Sequence, residues 1–365
     1  VKVSDEIEQI DTPAVLVDLD LVDKNITAMF EALSGSHVTV RPHLKTVKNP
    51  FFARMLLERG AAGVCVAKLG EAQVMADAGI EDILITTEIV GAAKVAALMQ
   101  LLKRHPDVKI VVDSRAGADQ IDQAARDVGL TTPIKTLVEL NVGQNRCGVE
   151  PGEPALALVQ HLTKSSHLLY SGVQGYEGHL QMLPDAGERR RECLECMDRL
   201  LITVNLLKSQ FLPPKIVSTG GTGTAEICAT IPEVTEVQPG SFVFWDTAYR
   251  KAVGSKYANA LSVVATVISK SGRYRAVVDA GTKSLSTDSG NAELKHHPDL
   301  IYRPGGDEHG IIESNHGPLP FEIGDRLELL PSHIDTTVNL HDFYNCHRGR
   351  GQLEKHAISA RGKVQ

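Results

Sequence analysis

The sequence is poor in several features that would each have pointed to a class of function. Aromatic residues make up 4% of its 365 positions, with a single tryptophan, too few for a platform on which nucleobases stack. Basic residues are outnumbered 38 to 45, for a formal net charge of -7. That balance leaves no footprint for nucleic acid and no polybasic face for a membrane. The longest apolar runs are about ten residues and are broken by charge, short of the roughly 20 that cross a bilayer. The acidic opening, VKVSDEIEQIDTP, has no apolar core of the kind a secretory signal carries. A cytoplasmic location is therefore expected, and a presequence removed ahead of residue 1 is compatible with it. No G-x-G-x-x-G follows an early strand and no Walker A loop is present, so the dinucleotide and P-loop readings both fail.

Cysteine is also sparse. Cys65, Cys147, Cys193, Cys196, Cys228 and Cys346 are scattered over the chain, a pattern of reduced thiols rather than a disulfide framework. Cys193 and Cys196 form a lone C-x-x-C within RRRECLECMDRLL, which reads as a charged amphipathic helix. Without a second C-x-x-C, neither zinc nor redox chemistry is expected of it.

What is present is a regular alternation. Apolar, β-branched runs at 38–42, 63–67, 82–87, 109–113, 135–140, 172–176, 215–219 and 234–238 are separated by segments with helical spacing, such as 51-FFARMLLERG-60 and 115-RAGADQIDQAARDVG-129. Continuous apolar runs are what strands buried on both faces require. Eight such units predict an α/β fold, a (β/α)8 TIM barrel, over 23–241. After Gly240 the texture changes to strand-like pieces (261–268, 275–280, 326–331) among Gly, Pro, Asp and Asn. This predicts a second, mostly antiparallel β domain from 1–22 plus 242–365. The opening strand 14-AVLVDLD-20 is expected to pair with that second domain.

Barrel enzymes place their chemistry at the C-terminal ends of the strands, and there the sequence is informative. Lys45, in 41-RPHLKTVKNP-50, follows the first barrel strand beside Arg41, His43 and Lys48. It is either a surface loop lysine or a Schiff-base amine, since a lysine desolvated among cations gives up its proton more readily. After the seventh strand comes 218-STGGTGT-224, supported by 239-PGS-241 after the eighth. Glycine-rich turns are common, but this is where barrels bind phosphate, with Thr219, Thr222 and Thr224 as hydroxyl donors. A reactive lysine facing a phosphate cradle has a natural ligand in pyridoxal 5'-phosphate.

Further candidates lie between them. Arg146, in 141-NVGQNRCGV-149, could donate to a ring oxygen of such a cofactor, or be an ordinary loop arginine. In 175-GYEGHL-180, Tyr176 could lie against the ring and His179 could serve as a general base, though a lone histidine is more often structural. In the β domain, 331-PSHIDTTVNLHD-342 places His333 and Asp335 two apart, so on a strand both side chains leave one face. One imidazole and one carboxylate suit a hydrated divalent ion better than a closed zinc site, although H-x-D also recurs by chance.

Taken in order, DTPAVLVDLDLVDKNI, RPHLKTVK, LVELNVGQNRCGV, GYEGH, STGGTGT, QPGSF, GDEHG and PSHIDTTVNLHD resemble the fold-type III pyridoxal-phosphate enzymes related to alanine racemase. Within them the resemblance is to the D-threonine aldolase/D-serine dehydratase family, and it runs over nearly the whole chain. It implies that Lys45 is the cofactor lysine, that Arg146 contacts the phenolic oxygen, and that Thr219, Gly220, Gly221, Thr222, Gly223, Gly240 and Ser241 form the phosphate segments. It also implies that His333 and Asp335 hold a metal. The dehydratases of this family carry cysteine, with zinc, where this chain has Asp335, and a hard carboxylate favours Mn²⁺ first, or Mg²⁺ or another divalent ion. The implied activity is cleavage of D-threonine and related D-β-hydroxy amino acids to glycine and an aldehyde, by a homodimer with active sites near the subunit interface. The alternatives are a 3-hydroxy-D-aspartate aldolase, a dehydratase acting on D-serine or a 3-hydroxy-D-amino acid, and, more remotely, a non-catalytic pyridoxal-phosphate carrier.

Overall fold

A computed structural model describes residues 9–349 and 351–365. The chain divides into two compact units: residues 30–45, 49–240 and 362–365 in one, and residues up to 29, 46–48 and 241–361 in the other. It opens with β1 (Ala14–Asp18) and α1 (Leu19–Leu33).

The first unit holds eight short strands: β2 (Thr39–Val40), β3 (Val64–Val66), β4 (Ile83–Ile85), β5 (Ile110–Val112), β6 (Ile134–Glu139), β7 (Leu168–Gln174), β8 (Ile216–Thr219) and β9 (Glu236–Val237). Six of them run in parallel order β2-β9-β8-β7-β6-β5, and β3 pairs with β4. Parallel bridges His43↔Cys65 and Leu84↔Lys109 join the two sets, so the ring closes as a barrel. All eight expected strands are present. β7 begins at Leu168 rather than 172 because its first half, with Leu169 exposed, is not buried on both faces and so lacks the continuous apolar signal.

The helices between the strands are α2 (Pro50–Glu58), α3 (Leu69–Asp77), α4 (Ala92–Arg104), α5 (Arg115–Asp127), α6 (Glu153–Leu162), α7 (Ala186–Ser209) and α8 (Ala225–Cys228). Their starts are written locally. Asn49 accepts from the Phe51 N–H ahead of Pro50, Ser114 accepts from Gly117, and Asp185 from Glu188, each satisfying a donor the helix itself cannot.

Alternate residues of the barrel strands face inward. Cys65, Leu84, Val111 and Leu137 pack together in one apolar layer. Beside it runs a chain of polar side chains, all buried except Asp82, which is half-exposed. Arg41 grips Glu236 with Nε at 2.9 Å and reaches Asp82, which also accepts from Lys109. Ser218 donates to Glu236, Gln238 donates to Ser218 and Gln174, and Gln174 donates to Glu139. Every member has a partner, the condition under which a polar layer inside a core is tolerated.

The second unit is a nine-stranded sheet of order β13-β14-β11-β10-β1-β16-β17, with β15 on β10 and β12 on β15. The strands are β10 (Leu261–Lys270), β11 (Arg275–Val278), β12 (Glu293–Leu294), β13 (Ile301–Pro304), β14 (Gly310–Glu313), β15 (Arg326–Leu330), β16 (Phe343–His347) and β17 (Glu354–Ala357). Most pairs are antiparallel. β1 lies between β10, antiparallel, and β16, parallel, so the opening strand does join this sheet. Short helices α9 (Thr247–Val253) and α10 (Ile334–Val338) complete the unit.

Candidate active site

Lys45 sits half-buried in a turn directly after β2. Its backbone N–H donates to His43 Nδ1 at 3.3 Å, and His43 Nε2 faces Thr86 Oγ1 at 3.0 Å beyond the end of β4. Thr86 in turn donates to the Val66 carbonyl after β3. With Nδ1 accepting, the proton of a neutral His43 ring lies on Nε2. The turn is thus tied to the C-terminal ends of three strands. Of the cations expected around Lys45, the structure turns Arg41 elsewhere. Arg41 points to Glu236 and Asp82, at the opposite ends of their strands. Although burial opposes it, the Glu236 and Asp82 charges raise the Arg41 guanidinium above its usual range, so its charge is spent there.

The glycine loop follows β8. Gly220 takes φ +74°, and a Cβ on Gly223 would lie 2.3 Å from the Gln181 carbonyl oxygen, so both positions require glycine. Most of the loop's donors turn inward. Gly221 N–H donates to Thr224 Oγ1 at 3.0 Å and Gly223 N–H to Gln181 Oε1 at 2.9 Å. Thr219 and Thr224, expected as phosphate donors, both give their hydroxyls to the buried carboxylate of Glu177. Thr222 is different. Its backbone N–H donates to nothing among the described residues, and its Oγ1 accepts from Gly240 N–H at 3.1 Å, leaving its own proton to give. An anion at this loop therefore finds two donors on one residue. Ser241, next after Gly240, opens a single helical turn (Ser241–Val243).

Arg146 and Tyr176 are brought together, the guanidinium 5.8 Å from the ring centroid, within reach of a cation–π contact. The loop that carries Arg146 is shaped by Asn141 Oδ1, which accepts from Gly143 and Asn145 N–H. Beneath it lies Glu139, pushed up to about 8 by burial and by the charge of Glu88, against the Gln174 hydrogen bond and Arg146. His179 is exposed on a single helical turn (Gly178–Leu180). A Cβ on Gly143 would lie 3.7 Å from its ring, so the ring borders the Arg146 loop.

In the second unit the strand expected to carry His333 and Asp335 is not formed. β15 ends at Leu330, Pro331 follows, and His333 is the residue before α10, with Asp335 in that helix's first turn. The shared-face reasoning of period two does not apply; a carboxylate in a first helical turn is instead favoured by the helix dipole. His333 Nδ1 lies 2.5 Å from Asp288 Oδ2, which directs Nε2 away from that carboxylate. Asp288 also accepts from Ser286 and Thr336. Partial burial works against it, yet these bonds and the imidazole hold the Asp288 carboxyl well below the usual carboxylate range. Asp246 accepts from the Ile334 N–H, and burial pushes its carboxyl up to about 6. The donor set is imidazole and carboxylate with no thiol, which fits a hard divalent ion with open positions.

The alanine racemase N-terminal domain family matches residues 17–248, and the putative serine dehydratase domain matches 260–347. A D-threonine aldolase of an Arthrobacter species is 36% identical over 361 residues, 98% of this chain and 94% of its own. The chain belongs to the D-threonine aldolase family of fold-type III pyridoxal-phosphate enzymes. It is a carbon–carbon lyase. The crystal structure of D-threonine aldolase from Filomicrobium marinum matches with TM-score 0.94 at 35% identity, covering 100% of both chains. A 3-hydroxy-D-aspartate aldolase of Paracoccus denitrificans is 32% identical over 365 residues, 97% of this chain and 93% of its own. An alanine racemase of Clostridium difficile, at 13% identity and TM-score 0.75, shares the fold.

Three carboxylates of these sites escape the sequence reading: Glu139, Glu177 and Asp288. Glu177 lies inside the quoted GYEGH, between two residues that were singled out. Its partners Thr219 and Thr224 are 42 and 47 positions away, and Asp288 is 45 from His333, so only the fold reveals either. The C-x-x-C cysteines are both buried on α7. Cys193, Cys228 and Glu177 place ligating atoms within 4.8 Å of one another, but the Glu177 oxygens already accept hydroxyl and N–H donors.

Proposed function

We propose that this lyase cleaves D-threonine and related D-β-hydroxy amino acids to glycine and an aldehyde, using pyridoxal phosphate at Lys45 and a divalent metal, Mn²⁺ first, at His333 and Asp335. The observation that supports the reading is the donor chemistry of His333, whose Nδ1 lies on Asp288, and of Asp335: an imidazole and a carboxylate, where a thiol would favour zinc. When bound, the cofactor supplies an electron sink for the breaking Cα–Cβ bond, and the metal supplies Lewis acidity at the β-hydroxyl.

The chain's own residues do the rest. With the cofactor bound, Lys45 would hold its aldehyde through Nζ and, as a free ammonium, would donate the proton that Cα needs in place of the broken Cα–Cβ bond. Thr222 donates to the phosphate through its N–H and hydroxyl. Arg146, kept over Tyr176, donates to the ring oxygen. His179 would take the proton of the substrate hydroxyl, and Asp288, holding His333 Nδ1, leaves Nε2 as the nitrogen that would bind an ion. We further place the enzyme in the cytoplasm as a homodimer. The first is supported by six free cysteines and by the lack, among the described residues, of a helix long and apolar enough to cross a membrane.

The test is an assay of purified protein with pyridoxal phosphate and D-threonine, with and without Mn²⁺ after chelation, with L-threonine as control. Metal-dependent acetaldehyde and glycine from the D-isomer alone is the expected result. A second reading, action on 3-hydroxy-D-aspartate, is favoured by the 32% identity of the Paracoccus aldolase and predicts glycine and glyoxylate from that substrate instead. Keto acid and ammonia in place of glycine would move the function to dehydration.

A further inference from the structure

We propose that Glu177 is a positioning residue that sets the enzyme's preference for the phosphorylated cofactor. It touches no substrate or cofactor; it acts through the glycine loop, and the inference rests on the reading of that loop as the phosphate site. The Glu177 side chain is fully buried. Oε2 accepts from Thr219 Oγ1 at 3.0 Å and from Gly220 N–H at 3.4 Å. Oε1 accepts from Thr224 Oγ1, from Gln181 Nε2 at 3.3 Å and from the Cys228 thiol at 3.7 Å. A second shell of bonds extends the grip, since Thr224 Oγ1 accepts from Gly221 N–H and from Gln181 Nε2, and Gln181 Oε1 accepts from Gly223 N–H.

One carboxylate therefore fixes, directly or through one intermediary, the N–H groups of Gly220, Gly221 and Gly223 and the hydroxyls at both ends of the loop. Thr222 alone is left facing outward. A neutral side chain could not do this. Each Glu177 oxygen accepts from an N–H, Oε2 from Gly220 and Oε1 from Gln181 Nε2, so an amide in its place would turn its N–H₂ toward one of them, leaving a buried clash of donors. The same bonds explain why the loop needs its glycines: Gly221 and Gly223 press against Gln181, where a Cβ would lie 2.4 Å and 2.3 Å from its oxygens. Preorganisation of this kind raises affinity for the phosphate by removing the cost of ordering the loop, and it does nothing for the rest of the cofactor.

The experiment compares pyridoxal phosphate with pyridoxal, which lacks the phosphate but keeps the aldehyde that Lys45 takes. Binding of each to cofactor-depleted wild type, Glu177→Gln and Thr224→Val is titrated by absorbance. In Glu177→Gln, affinity for pyridoxal phosphate should fall by about ten- to a hundred-fold, with pyridoxal affinity held within about twofold. Thr224→Val, which removes one of the bonds, should move the ratio in the same direction by less. A role in general stability would instead weaken both ligands alike. An unchanged ratio in folded Glu177→Gln overturns the proposal. If circular dichroism shows that variant unfolded, Thr224→Val decides: a lowered ratio supports the proposal and an unchanged one overturns it. Wild type that binds the two ligands equally would remove the phosphate reading of the loop itself, a separate failure visible before any variant is made.

Discussion

The two candidate sites are held in opposite ways. In the barrel unit the supporting carboxylate, Glu177, is wholly enclosed and ties five donors together. In the β unit the supporting carboxylate, Asp288, and the imidazole it aims keep 45% and 32% of their side-chain surface exposed. Enclosure suits a group that is tethered covalently and stays. Exposure suits an ion that must exchange water and substrate oxygens. On the proposed reading, the difference predicts that cofactor retention and metal retention respond to different substitutions.

The largest effect is expected at Lys45. Lys45→Ala should abolish the visible absorbance of lysine-bound cofactor and lower turnover by on the order of 1,000-fold or more; retained absorbance would remove Lys45 from its role. Next is Asp335→Ala, which should leave that absorbance intact while activity falls roughly 100-fold. Loss of both together would break the separation between the two regions. Asp288→Asn keeps the ligands but weakens the aim of His333. The metal concentration for half-maximal activity should rise about 10- to 100-fold, with activity at saturating metal near that of wild type. Calorimetric titration of Mn²⁺ would check it, and an unchanged affinity would deny Asp288 its orienting role.

The smallest effect concerns stability and belongs to the barrel alone. Glu139 is raised from 4.5 to about 8, chiefly by burial. Its folded value lies above its unfolded one, so its contribution to stability is whole below about pH 4.5 and is lost as the pH rises through 8. Glu139→Gln should remove that loss, making the variant more stable than wild type above pH 8 by on the order of 1–2 kcal/mol. Denaturant titrations at pH 5 and pH 8.5 would show the difference, and equal shifts at both would assign it to packing.

The barrel was legible because strands buried on both faces must be apolar throughout, which marks them without any knowledge of their neighbours. The opening strand was legible for the same reason, its central residues Val15, Leu16 and Val17 being buried. Lys45 and the glycine loop could be placed because chain order alone puts them after the first and seventh barrel strands. The mode of donation could not. Which hydroxyls of STGGTGT face a ligand depends on Glu177, and a buried carboxylate looks in sequence like any exposed one. The H-x-D spacing failed in a different way. A period of two has meaning only on a strand, and Pro331 and the helical turn at Ile334–Val338 put the pair on other geometry.

The place of β1 has a consequence for how the polypeptide is made. Ala14–Val17 lies opposite Leu261–Val264, and Val15–Asp18 beside Tyr344–His347. β1 thus finds its neighbours only after the barrel that follows it in the chain has left the ribosome. At roughly 5–20 residues per second the delay is on the order of ten seconds to a minute. For that interval a short apolar segment is without its sheet, and the β unit can close only once β16 has been made. Appending a domain at the C-terminus leaves that order intact, whereas circular permutation that opens the chain ahead of β10, so that β1 follows β17, would let the sheet assemble as a contiguous piece.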